Sequence, residues 1–197
     1  MKSLKVLLAA GLSLWLAGCV ASGPAPSQYT LPADAGRQPG GIAGADAEYR
    51  LVVTQPRLAR FLDVDGLILQ LDDITLNEAN HHLWAAPIDL QLERGLRTRL
   101  AARLPHTRVM HDDADSRRRA PAVLRLEVDR FHGRFDGRAV VGGQWQLSDE
   151  GGELLAMAPF NVEVELAQDG YPALVRALGR GWDQVADEIA AEIKRLR

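Results

Sequence analysis

Between residues 122 and 129 apolar and charged side chains alternate: Ala122, Leu124, Leu126 and Val128 on one side, Arg125, Glu127 and Asp129 on the other. A period of two sends successive side chains to opposite faces, so the stretch reads as a strand with one face buried. The same rhythm returns at 160–166 (FNVEVEL). Between the two, FHGRFDGRAVVGGQWQL predicts strands over 131–135 and 139–147, joined by a hairpin turn at Asp136-Gly137. The DEGG at 149–152 marks the next turn. Upstream, the β-rich run 49–54 ends at Gln55-Pro56, and residues 57–65 form a connection. Residues 66–71 and 74–78 make two short strands joined through Asp72-Asp73, and 106–111 is a further short strand.

Two segments carry the longer helical period. In 83–105, Trp84, Ile88, Leu92, Leu96, Leu100 and Leu104 recur every four residues among Arg and Glu, with Pro87 near the start and Pro105 past the end. From Tyr171, helical spacing continues through Leu174, Val175, Leu178, Trp182, Val185, Ile189, Ile193 and Leu196. Asp169 offers an N-cap, and Lys194, Arg195 and Arg197 sit where the helix dipole favours cations. The charged run 112–119 belongs in a solvated loop. The economical architecture is an α+β fold in which two amphipathic helices cover one face of a largely antiparallel sheet. Trp84, Trp145 and Trp182 all fall in amphipathic elements, where core packing is their default use.

The first 47 residues follow another logic. Lys2 and Lys5 precede an uncharged apolar run from Val6 to Ala17, the pattern of a secretory signal peptide over 1–18. The run is too short to span a bilayer, which takes ~20 apolar residues. It ends in Leu16-Ala17-Gly18-Cys19, and Cys19 is the only cysteine, so no internal disulfide can form. The Pro-, Gly- and Ala-rich stretch 19–47 reads as a tether, and 48–197 as one folded domain. Within the tether, Tyr29-Thr30-Leu31 places two apolar side chains where the rest is polar, a piece that can dock on the domain as an edge strand.

Composition narrows the function. Against 26 acidic residues stand 23 Lys and Arg, a net charge of −3, which does not suit nucleic acid. His81-His82 is the obvious metal candidate, but adjacent side chains diverge and no carboxylate stands at ligand spacing. The DVDG at 63–66 puts its glycine at the wrong position for a calcium loop. No GxSxG elbow is present, and the glycines fit hairpins better than a phosphate loop. These features favour binding or scaffolding over catalysis, with no catalytic residue, metal or cofactor expected.

LAGC at 16–19 resembles the bacterial lipobox, which implies cleavage after Gly18 and lipid on Cys19. Val20 in the next position implies sorting to the outer membrane. Together with YTLP at 29–32, LWAAPIDLQLERGLRTRLAARLP at 83–105, the 131–147 hairpin and QDGYPALVRALGRGWDQVADEIAAEIKRL at 168–196, the chain resembles the ABC-type transport auxiliary lipoproteins. The resemblance implies a periplasm-facing outer-membrane lipoprotein with a fold similar to the TolB N-terminal domain. It implies partnership with an MCE-domain tunnel protein and, through it, an inner-membrane component, assembly into homo-oligomeric rings, and movement of lipids or other hydrophobic molecules between membranes. Tyr29, Leu31, Arg134 and Asp136, in segments that carry the resemblance, are the candidate partner contacts. The alternative is a periplasmic carrier holding lipid in its own apolar cavity, which would need ~300–1,000 Å³.

Overall fold

The computed structural model describes residues 25–32, 47–118 and 122–197; the signal peptide expected over 1–18 and Cys19 lie outside them. Nine strands form one sheet: β1 (Ser27–Tyr29), β2 (Tyr49–Val53), β3 (Arg57–Leu58), β4 (Gly66–Gln70), β5 (Leu76–Trp84), β6 (Thr107–His111), β7 (Ala122–Arg134), β8 (Arg138–Ser148) and β9 (Leu154–Glu165). Among the described residues three α-helices accompany them, α1 (Ile88–Arg103), the short α2 (Ala114–Arg117) and α3 (Tyr171–Arg195), with a single 3-10 turn at Arg60–Leu62. The fold is α+β.

β7 is the axis of the sheet. One edge pairs with β8 along nearly its whole length, and β8 pairs in turn with β9, both antiparallel. The other edge is shared by β2, β3 and β4, which follow one another along it in parallel. The long ladders are therefore antiparallel as expected, while β2–β6, β1–β5 and the three short pairings to β7 are parallel. Parallel pairing between short, distant segments leaves no turn in the sequence to announce it.

The alternation at 122–128 works as read: Leu124, Leu126 and Val128 are buried while Arg125, Glu127 and Asp129 face water. The pairing slips between Val128 and Arg130, a bulge that lets a single strand continue to Arg134 where two were expected. Gly143 sits opposite the bulge because a Cβ there would lie 2.0 Å from the Glu127 carbonyl oxygen.

Some boundaries differ from the pattern. Trp84 ends strand β5 rather than entering a helix, and α1 begins at Ile88, directly after Pro87. The four-residue step from Trp84 to Ile88 imitates a helical turn across a strand end. β5 escaped notice beyond Glu78 because Asn77, Glu78, Asn80 and His81 are exposed and mask its alternation. α3 is preceded by Gly170 at φ 102°, which takes the N-cap position from Asp169. The 112–119 loop contains α2, closed by a reciprocal capping box between Asp113 and Ser116. β9 starts six residues earlier than read, at Leu154; Pro159 is tolerated within it because β9 is an edge strand.

Helices α1 and α3 pack on one sheet face and bury a continuous core. Trp182 of α3 is fully buried between Phe131 and Phe160, at 6.2 Å from each ring. Trp84 and Trp145 are buried too, as expected. A void within this apolar interior, bounded by Leu58, Leu62, Ile68, Trp84, Ile88, Leu92 and Phe131, measures about 10 Å³. Among the described residues no helix is long and apolar enough to cross a membrane.

Candidate functional site

Two regions hold the residues that the sequence nominated, and they behave differently. The first is the lead-in segment. β1 adds to the edge of β5 in parallel, with Ser27, Gln28 and Tyr29 opposite His82, Leu83 and Trp84. The Tyr29 hydroxyl lies 2.9 Å from His82 Nδ1, and the imidazole stacks on Tyr171 of α3 at 3.8 Å. Burial beside that stack pushes the Tyr171 hydroxyl pKa upward. Leu31 is buried in the core, and its amide donates to Gln91 Oε1 at 2.7 Å.

Pro32 finishes the dock. Its carbonyl accepts from Arg99 Nη2 at 2.8 Å, and its ring fits over Gly179, where a Cβ would lie 3.1 Å from it. Arg99 is itself buried and pairs with Asp183 at 2.5 Å; one turn on, Arg103 pairs with Asp187 at 2.7 Å. Two arginines four apart on α1 thus meet two aspartates four apart on α3. Tyr29 and Leu31 are engaged with this chain's own domain, Leu31 completely. Replacing Leu31 with alanine costs about 2–3 kcal/mol, read as a lower urea midpoint.

The second region is the outer sheet face, opposite the helices. Arg134 projects there at the β7–β8 turn and bonds Asp136 through Nε at 2.9 Å and Nη2 at 2.7 Å. It also bonds Glu163 of β9 at 2.7 and 2.8 Å, and Arg138 reaches the same carboxylate at 3.0 Å. Arg134 and Asp136 therefore stand together, in a lattice with Arg138 and Glu163 that sequence spacing did not show. Farther along the face, Arg130 bonds Asn161, and Arg57 lies 3.9 Å from Glu127. A polar cleft of about 410 Å³ opens there, lined by Arg57, Asp112, Arg117, Arg125, Glu127 and Gln144 among others.

Charge-assisted bonds from Arg134 hold the Asp136 carboxyl below its ordinary pKa, and those from Arg134 and Arg138 do the same for Glu163. Since both folded-state values are depressed, the stabilisation is present at neutral pH and fades as pH falls through them. Substituting Arg134→Gln returns both carboxyls toward ordinary values, visible as upward-shifted midpoints in a carboxyl-carbon NMR titration.

His81 is exposed on β5, and His82 is taken by the aromatic stack. Among the described residues no three His, Cys, Asp or Glu side chains gather to hold a metal. Of the residues that matter here, Arg99, Asp183, Arg138 and Glu163 went unnoticed in the sequence. The paired i, i+4 spacing of Arg99/Arg103 and Asp183/Asp187 was a signal available for the first two.

Comparison with known proteins gives a consistent picture. A sequence model of the ABC-type transport auxiliary lipoprotein component matches residues 29–190. The chain is 37% identical over all 197 residues, and over the full length of the relative, to the intermembrane transport lipoprotein PqiC of Escherichia coli. The same identity and coverage hold for PqiC of Shigella flexneri. Among solved structures, an uncharacterized protein 32% identical superposes with a TM-score of 0.74, covering 86% of this chain and 99% of that one. A Xanthomonas campestris protein 17% identical shares the fold at a TM-score of 0.66, over 87% of this chain and 100% of its own.

Proposed function

The chain belongs to the ABC-type transport auxiliary lipoprotein family, and from that premise we propose that it serves intermembrane transport as a non-catalytic docking lipoprotein. Lipid on Cys19, after cleavage behind Gly18, pins it to the periplasmic face of the outer membrane. There it meets the distal end of an MCE-domain tunnel protein, which connects it to an inner-membrane component, and hydrophobic molecules pass between the membranes. Its own copies assemble as a ring around that end.

The observation that carries docking over carriage is the solid interior. A void of about 10 Å³ is smaller than one lipid methylene chain needs, and the larger clefts lie on the surface. The polar outer face, with Arg134 and Asp136 at one end, is the surface left for a partner. The lead-in, by contrast, is a rigid coupling: Tyr29, Leu31 and Pro32 fix where the anchored end enters the domain.

Association tests the reading. Full-length protein extracted with mild detergent retains the MCE-domain protein on affinity capture, and Arg134→Ala weakens that retention by about tenfold. Co-purified phospholipid at one molecule per chain, without the tunnel protein, would favour the carrier. Mass analysis of the same material reports the anchor, as a chain beginning at an acylated Cys19.

A further inference from the structure

One end of the sheet carries a cluster of exposed apolar side chains, separate from Leu154, Leu155 and Met157 of β9. The β4–β5 turn presents Leu71, Ile74 and Leu76, with Ile74 86% exposed. The β7–β8 turn presents Phe135, 62% exposed. β4 and β7 run parallel with Gln70 opposite Arg134, so the next residues, Leu71 and Phe135, stand side by side. The β4–β5 turn is built to hold this display: Asp72 Oδ1 accepts from the amides of Ile74 at 2.9 Å and Thr75 at 2.7 Å, leaving the isoleucine to project into water. Exposed clusters of this kind mark interaction sites.

The direction of β1 says what they meet. β1 is parallel to β5, and its first residue, Ser27, lies opposite His82. Read backwards, the chain therefore leaves toward the Leu76 end of β5, the end with the apolar tips. From His82 to Leu76 is six residues, about 20 Å of strand. From Ser27 back to Cys19 is eight residues, a reach of at most about 28 Å. The apolar tips are therefore on the side from which the chain enters β1, and the length of chain back to Cys19 is enough to reach them.

We propose that the paired turns bearing Leu71, Ile74, Leu76 and Phe135 are a membrane-facing edge, resting in the headgroup layer of the phospholipid bilayer that holds the anchor. The inference rests on lipidation at Cys19 and adds the surface that orients the domain on that membrane. Apolar insertion, not charge, drives the contact. Asp72 and Asp73 precede Ile74, and Asp136 is matched by Arg134 and Arg138, so the edge has no net attraction for anionic lipid. It favours zwitterionic headgroups and is insensitive to added salt. Oriented this way, the Arg134–Glu163–Arg138 lattice stands just above the headgroups, where a tunnel that reaches this membrane has to end.

The experiment uses the full lipidated chain in vesicles of phosphatidylethanolamine and phosphatidylcholine. Single cysteines, Ile74→Cys or Phe135→Cys, are labelled with an environment-sensitive fluorophore; Glu150→Cys, in the turn at the opposite end of the sheet, is the control. Both tip positions are expected to shift to the blue and to lose more than about half their emission to quenchers carried on lipid, with no loss at position 150. Emission at the tips equal to the control overturns the proposal. So does a blue shift that lipid-borne quenchers do not touch, since that reports burial against protein. Unsubstituted protein taking no label, and having the mass of the acylated form, shows that the anchor is in place, so failure of the edge and failure of the anchor read separately.

Discussion

Replacing Trp182 with alanine lowers the unfolding free energy by about 4 kcal/mol, read by urea titration followed with far-UV circular dichroism. The ring is completely buried on α3, meets Phe131 of β7 edge-on at 85° and Phe160 of β9 at 67°, and its indole N–H donates to the Leu92 carbonyl of α1 at 3.1 Å. One side chain thus joins two strands and both long helices. Alanine removes the largest fully buried side chain among the described residues, and the close-packed surroundings cannot collapse into the space. Trp182→Phe keeps most of the volume, loses the hydrogen bond and costs about half as much. A loss below about 1.5 kcal/mol for the alanine variant would mean that α3 does not seat here.

Asp183→Ala is the second large effect, at about 3 kcal/mol. It leaves the Arg99 guanidinium buried beside the carbonyls of Gly95 and Pro32 without the carboxylate at 2.5 Å. Losing one member of a buried pair costs more than the pair contributed, because the remaining charge stays out of water. The double substitution Arg99→Met with Asp183→Leu removes that charge and recovers most of the loss, so a double-mutant cycle distinguishes an orphaned charge from a packing defect. The same cycle shows whether the lead-in depends on the pair: Arg99 holds Pro32, so both single variants expose the 27–32 segment to proteolysis.

What was legible in the sequence follows from the physics of each element. β7 and α3 announced themselves because one face of each is buried and the other wet, so the period survives in the residues, whereas β8, buried at nearly every position, is placed by the Asp136-Gly137 turn before it. β5 hid because it lies next to the edge, exposed on most positions, and because Trp84 stands four residues before Ile88. The parallel pairings of β2, β3 and β4 to β7 had no local signature, since register between distant segments depends on tertiary packing. Tyr29 and Leu31 stood out as apolar residues in a polar stretch, and the docking as an edge strand followed; that they close on His82, Gln91 and the core required the fold. Arg99 and Asp183 carry no local mark of burial, since it is the packing of two helices that brings them together. Phe135 was passed over as part of a hairpin, although it is the residue that exposes most of a ring.

Contact between the outer sheet face and a tunnel protein at the membrane is tested most directly by photo-crosslinking in intact envelopes. A crosslinkable residue replacing Arg138 or Arg125 is expected to give a covalent adduct with the MCE-domain protein, while one replacing Leu31, buried in the chain's own core, gives none. Adducts only with other copies of this chain, or none at all from protein that is folded and membrane-bound, would contradict it.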